Sequence, residues 1–443
     1  MKSIVEKNKK RLVKFAELVH LKLFGHEMSD TMREFLGNLS IVSVGMIISS
    51  VAMFIVYIIG ARMVGAIEFG KFQLIYTMAQ FITIPMLFGL NTASIKYIAE
   101  EKVRAKQKEY VGNALLLVGC SIIFTWTVLI IGKNYFYSIF NINQQTFILL
   151  MLLSTVIVAY YFSRSLLQGL GDMAMLSFLE GGYATVIIIS FFALYYYNGS
   201  NYFALYWAFI LGYLFFVIFF VYKYFTTIQK NYHKNVQFRK KIFKYGLFAI
   251  LGSVSGILLS GIDKIMLGYY TDVKTVGVYS IYVLASLVVF SQILHIFITV
   301  FFPQLSAIQN KKNIVVKINK SIRLIFLLIS LMSSITIPVV LYFAGKDYPF
   351  RLSYIIIFST ITGLTWIYQL KMWVLNSIGI QGIRITVKGT LFVGIVNAIL
   401  NRIFIFKWGM NGALVATVIS SSLLYIYFTS KLNKLLIRNK TKV

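Results

Sequence analysis

The chain has 443 residues, 58% of them hydrophobic and only 13% charged. Soluble domains run at about 45–50% apolar and about 25% charged residues, so this composition excludes a water-soluble globular enzyme and places the chain in a bilayer. The net charge of +29 would point to nucleic acid in a soluble protein, but in a membrane protein it reads as Lys and Arg gathered in cytoplasmic connections. A single cysteine, Cys120, excludes an internal disulfide and reads as a small packing residue. No Cys/His pattern points to a metal.

The chain opens on a basic segment, 1–36, expected on the cytoplasmic side. Leu12, Phe15, Val19 and Leu23 recur at helical spacing among Lys10, Lys14 and Lys22. The pattern fits either a helix lying on an anionic membrane surface or a solvated arm. An N-terminal lobe over 37–225 follows, with spans at 37–60, 71–98, 111–131, 146–168, 174–197 and 203–225. A basic cytoplasmic linker covers 226–244. A C-terminal lobe over 245–430 has spans at 245–268, 277–304, 322–344, 352–375, 385–405 and 411–430. A basic tail, 431–443, closes the chain. Each span offers roughly the 20 apolar residues that a bilayer core about 30 Å thick requires.

Charge orients these twelve spans. The connections and tails on the side of both termini hold 28 Lys and Arg, and those on the other side hold 6. Both termini are therefore expected in the cytoplasm. Every connection on the sparse side is short, which leaves little loop surface for a catalytic site and favours transport over catalysis.

The halves echo each other at an offset near 207 residues. "EFGKFQLIY" from Glu68 matches "TVGVYSIYV" from Thr275, with Gly70 on Gly277. "LLQGLGDMA" from Leu166 matches "VLNSIGIQG" from Val374, with Gly171 on Gly379. Six spans per half make the halves parallel repeats related by an axis along the membrane normal. Gly70 and Gly277 are expected at turns that need positive φ. Pro85 and Pro338 fall inside spans, where each removes a backbone hydrogen bond and bends its helix.

Span seven and its sequel, "DKIMLGYYTDVKTVGVYSIYVLAS", together with "IIGARMVGAIEFGKFQLI" near the start, resemble the polysaccharide-transport family of flippases. These belong to the multidrug/oligosaccharidyl-lipid/polysaccharide exporter superfamily. The resemblance rests on Asp263, Gly277, Val278, Tyr279 and Ala285 in the second half, and on Arg62, Gly65, Phe69 and Gly70 in the first. It implies an all-α integral membrane protein with about 12 transmembrane helices in two pseudo-symmetric six-helix lobes around a V-shaped cavity. It also implies movement of an undecaprenyl-diphosphate-linked oligosaccharide across a bacterial cytoplasmic (inner) membrane for O-antigen, capsule or exopolysaccharide synthesis. Polysaccharide polymerase and glycosyltransferases are the partners it suggests beside membrane lipids. No cofactor is expected beyond coupling to a proton or sodium gradient. A cation-coupled multidrug exporter of the same superfamily is the first alternative, and a membrane glycan polymerase the second.

No catalytic set stands out, and the candidate cavity and coupling residues are the charges inside or flanking the spans. Arg62, Lys96, Arg164, Glu180, Asp263, Lys264, Lys371 and Arg402 make up this set. Charges in hydrocarbon face a partner or a polar cavity, although Lys and Arg near span ends also reach water by snorkelling. Arg164 and Lys371 occupy corresponding spans, four and ten. Asp263 is expected to line the outer mouth of the cavity and pair with Arg62 or Arg402, or to take up the coupling ion. Lys264 points about 100° away from it on the helix and is not its partner.

Overall fold

The computed structural model describes residues 30–140, 142–230, 235–307 and 311–438. Most of the N-terminal basic segment and the end of the tail lie outside the described residues. Every regular element among those described is helical. Hydrocarbon offers no partners for backbone N–H and C=O groups, so a chain crossing it satisfies them within each segment.

Among the described residues, ten helices are long and apolar enough to cross a membrane. Two of them are double: Asp30–Leu87 breaks at Gly65, with φ 81°, and Ile380–Arg438 breaks at Gly409, with φ 52°. Both breaks fall in connections read from the sequence, so the described helices supply the twelve expected crossings. Their outer faces are apolar and bare. Ile123, Phe124 and Ile131 are 67%, 70% and 81% exposed on Arg104–Ile131, as suits a helix whose solvent is lipid. Cys120, expected to pack, is exposed on the same helix.

Three spans are less regular than hydropathy implies. Span two stops at Leu87, two residues past Pro85. Phe88 and Gly89 take positive φ values of 47° and 68°, and Leu90–Glu100 then continues the crossing. A Cβ on Gly246 would lie 2.6 Å from the Phe88 carbonyl oxygen, so a glycine in the neighbouring helix Val236–Ser260 accommodates the break. Span seven divides at Gly261 into Val236–Ser260 and Ile262–Tyr270. Span eight, starting at Val273, passes through a π turn at Leu284–Val288 before Val289–Ala307. Pro338 sits inside Lys312–Ala344 as expected.

The chain groups into two compact units. The first comprises residues up to Tyr57, Pro85–Gly132 and Met151–Ala249, and the second Ile58–Ile84, Lys133–Leu150 and Ile250–Val443. In the first, buried rings of Tyr160, Tyr183 and Tyr213 lie 4.7–5.9 Å apart. In the second, Leu305, Val315, Val374, Leu375, Leu424 and Phe428 form a fully apolar cluster.

Gly70 and Gly277 need a different explanation from the expected turn. Neither has positive φ, and both lie in helical backbone of the second unit. They face each other: a Cβ on Gly70 would lie 3.0 Å from Gly277 N, and one on Gly277 would lie 3.2 Å from Gly70 N. Each added carbon would also run into a carbonyl oxygen, of Val273 and of Ala66 respectively. The pair lets two backbones cross in contact, as small residues do between membrane helices. Gly171 and Gly379 do turn at positive φ, 70° and 95°.

Candidate functional site

Two buried polar clusters stand out, one in each unit. The second unit holds the more unusual one. The short helix Ile262–Tyr270 carries Asp263 inward, where its side chain is 3% exposed. Tyr279, sixteen residues on in Val273–Val283, donates its hydroxyl to Asp263 Oδ2 at 2.7 Å. Asn401 Nδ2 donates to Asp263 Oδ1 at 2.6 Å and to Asn397 Oδ1 at 2.6 Å. Asn397 Nδ2 in turn donates to Ser420 Oγ at 3.1 Å. The Thr417 hydroxyl lies 2.8 Å from the Ala413 carbonyl and 3.3 Å from Asp263 Oδ2, so it shares one proton between them. Asn401 Oδ1 is buried with no hydrogen-bond partner among the described residues.

Every hydrogen-bond partner of Asp263 among the described residues is neutral, which corrects the expected arginine pairing. Arg62 and Arg402 are both exposed, and neither contacts the carboxylate. Lys264 points away, as expected, and donates to the buried Gln73 Oε1 at 3.0 Å. A buried carboxylate costs several kcal/mol unless a countercharge or a proton neutralises it. Here the carboxylate is met by an amide N–H and two hydroxyls, with no cation hydrogen-bonded to it among the described residues. Hard cations take such oxygen ligands, and a proton on the carboxylate would meet the same need.

The first unit resolves its charge differently. Glu180 is buried, and Arg164 Nε donates to its Oε1 at 2.5 Å. The Tyr160 hydroxyl lies 3.4–3.5 Å from both Glu180 oxygens. Ser49 Oγ and Tyr183 OH are 2.9 Å apart behind it. Arg164 and Glu180 lie on opposite arms of a helical hairpin that turns at Gly171. The site carries its own cation.

The remaining candidates scatter. Lys371 is fully buried and donates to Asn319 Oδ1, so a neutral amide is its acceptor. Lys96 is exposed, 3.9 Å from Glu100 and 4.9 Å above the Tyr245 ring. Arg62 lies against Gly345, where a Cβ would be 3.4 Å from its Cγ. The structure thus joins Arg164 with Glu180 but gives Asp263 no hydrogen bond from any basic candidate among the described residues. Asn397, Asn401 and Thr417 were not singled out in the sequence. Two amides four residues apart in an apolar span were their visible signal, since polar residues so spaced share one helix face.

The described residues hold no group of three or more His, Cys, Asp or Glu side chains that could bind a metal. The polar cluster around Asp263 is built mainly from amides and hydroxyls instead.

Comparison with known proteins places this geometry. The chain is 23% identical over 414 residues to an uncharacterized membrane protein, MJ1068, of Methanocaldococcus jannaschii, covering 86% of this chain and 81% of that protein. Its fold matches an inward-facing MATE multidrug resistance transporter of the MOP superfamily, with TM-score 0.65, 15% identity, and coverage of 89% of this chain and 98% of the other. It also matches the lipid II flippase MurJ in an inward closed conformation, with TM-score 0.66, 17% identity, and coverage of 88% and 87%. The all-helical membrane fold read from the sequence is the fold these proteins share. A family described as polysaccharide biosynthesis protein matches residues 35–309, more than half the chain, and the chain belongs to that family.

Proposed function

We propose that this protein is a flippase that moves a lipid-linked oligosaccharide, joined through a diphosphate to a polyprenol such as undecaprenol, across the cytoplasmic membrane. The family match to polysaccharide biosynthesis, in a fold shared with a lipid II flippase, carries this reading. A sugar head loses its water in hydrocarbon at several kcal/mol for each unmet polar group. A polar path through the protein, opened alternately to each side, supplies replacement partners. Basic side chains along such a path suit a diphosphate, which is bound best by charge-assisted hydrogen bonds. O-antigen, capsule and exopolysaccharide repeat units are the cargoes of this chemistry, with glycosyltransferases upstream and a polymerase downstream.

The charge inventory favours this cargo over the cationic drug of a multidrug exporter. Of the two acidic residues in the predicted spans, Glu180 is held by Arg164 and Asp263 is capped by neutral donors. Neither offers a free carboxylate to a drug cation.

Asp263 is the coupling group in this reading. A proton or a sodium ion arriving there neutralises the charge, and Asn401 turns its amide so that its oxygen faces the ion. Both termini, and the basic connections, face the cytoplasm. Deleting the gene tests the whole: lipid-linked oligosaccharide accumulates on the cytoplasmic leaflet if the reading is right. Normal polymer export together with new sensitivity to cationic drugs would favour the multidrug reading instead.

A further inference from the structure

One cavity lies away from both polar clusters. It is entirely within the first unit, where Leu90–Glu100 ends, Arg104–Ile131 begins and Val236–Ser260 begins. Its volume is about 400 Å³, within the roughly 300–1,000 Å³ range of small-molecule sites.

The walls are braced from within the protein. Gln107 Nε2 donates to the carbonyls of Ile98 at 3.2 Å and Glu101 at 2.7 Å. Val103 N donates to Glu101 Oε1 at 3.0 Å. Asn235 accepts from Phe238 N at 2.8 Å, capping its helix, and donates through Nδ2 to Glu109 at 2.8 Å. The rings of Tyr110 and Phe238 stack with centroids 3.9 Å apart. Walls fixed in advance spare a ligand the ordering cost that loose loops impose.

The lining is mixed in a way that selects ligand chemistry. Glu100 and Glu101 supply acceptors, and Gln237 supplies both donors and acceptors. The Tyr110 hydroxyl meets Glu101 Oε2 at the long distance of 3.5 Å. Lys241 holds its ammonium 4.3 Å over the Tyr97 ring. Two carboxylates repel a bare phosphate. A lysine in the wall repels a quaternary amine, and it already occupies the ring such a cation would seek. A neutral ring edged with hydroxyls suits donors and acceptors of both kinds.

We infer that the cavity bounded by Glu100, Glu101, Tyr110, Asn235, Gln237 and Lys241 is a sugar-binding subsite that takes one neutral pyranose of the cargo head before translocation. Its place in transport rests on the flippase reading. Its preference for sugar does not.

The test uses the full chain in lipid nanodiscs and saturation-transfer NMR with methyl glycosides of neutral hexoses and N-acetylhexosamines. At least one glycoside binds, and neither inorganic phosphate nor choline displaces it. The double variant Glu100→Gln with Gln237→Ala alters two exposed side chains, keeps the unfolding temperature, and weakens binding roughly tenfold. Tyr110→Phe keeps the ring stack and weakens binding by a smaller factor. No binding by any glycoside, displacement by phosphate or choline, or unchanged affinity in the double variant would overturn the subsite. Polymer export is scored in parallel. Glycoside binding without export leaves the subsite standing and sinks the flippase reading, whereas export without glycoside binding sinks the subsite alone.

Discussion

Asp263→Asn separates a coupling role from a structural one. In the wild type, Tyr279 and Asn401 make short hydrogen bonds to the carboxylate, at 2.7 and 2.6 Å. Hydrogen bonds to a charged group contribute about 1.5–3 kcal/mol each, and neutral ones about 1 kcal/mol. Asn keeps one acceptor for Asn401, and the Tyr279 hydroxyl rotates to accept from its NH2, so both contacts become neutral at a cost of about 1–4 kcal/mol across the two. Against that stands the penalty of a few kcal/mol for burying a charged carboxylate, which Asn does not incur. The two effects nearly cancel, so Asp263→Asn unfolds in detergent at or above the wild-type temperature. Asp263→Ala leaves the donors of Tyr279 and Asn401 without an acceptor, at about 1–3 kcal/mol each, and unfolds earlier. If Asp263 is the proposed coupling group, export of polymer by cells carrying Asp263→Asn falls at least about tenfold. Unchanged export in a normally expressed Asp263→Asn protein refutes the coupling role. Loss of export in step with loss of thermal stability shows that the carboxylate serves packing instead.

Gly70→Ala and Gly277→Ala each force a methyl into a carbonyl oxygen of the facing helix and cost about 1–3 kcal/mol, read as a lower unfolding temperature. Gly256→Ala meets nothing within 4 Å and is tolerated. Glu180→Gln strands the partly buried Arg164 and costs about 2 kcal/mol, less than the 3–5 kcal/mol of a fully buried pair. Adding Arg164→Gln recovers most of that loss, a sign of coupling that a thermal double-mutant cycle measures. Asp172, outside the spans, answers to pH. Burial pushes its carboxyl up, but hydrogen bonds from Lys223 at 2.6 Å and Tyr224 at 2.5 Å outweigh burial and hold it below the usual carboxylate range. A depressed carboxylate stabilises the fold above its unfolded-state value, and that contribution is lost as pH falls through the lower folded value. The stability gap between wild type and Asp172→Asn is therefore constant from pH 7 to about 5 and closes below about pH 4. A gap that widens on acidification contradicts the assignment.

Much of this architecture was written in the hydropathy of the chain. The spans and their connections follow from where apolar runs stop, because hydrocarbon tolerates little else. The breaks inside spans were hidden. Phe88, Gly89 and Gly261 lie inside spans that are apolar on average, and a hydropathy window averages over the backbone geometry they adopt. The repeat located Gly70 and Gly277 correctly but not their purpose, since a glycine that turns and a glycine that admits a neighbour look alike in sequence. Asp263 drew attention as a carboxylate in grease, and charge complementarity then pointed to arginines. Neutral partners drawn from three other segments of chain carry no such label. Arg164 and Glu180 were more legible than their separation implied: they flank the Gly171 turn at nearly equal distances, so an antiparallel hairpin brings them together.

The most direct measurement uses the purified chain in liposomes loaded with a lectin-detectable polyprenyl-diphosphate oligosaccharide on one leaflet. An imposed sodium or proton gradient should accelerate the appearance of sugar on the opposite leaflet in wild-type vesicles, and not in vesicles carrying Asp263→Asn. Sugar that stays on its original leaflet in wild-type vesicles under either gradient contradicts the account.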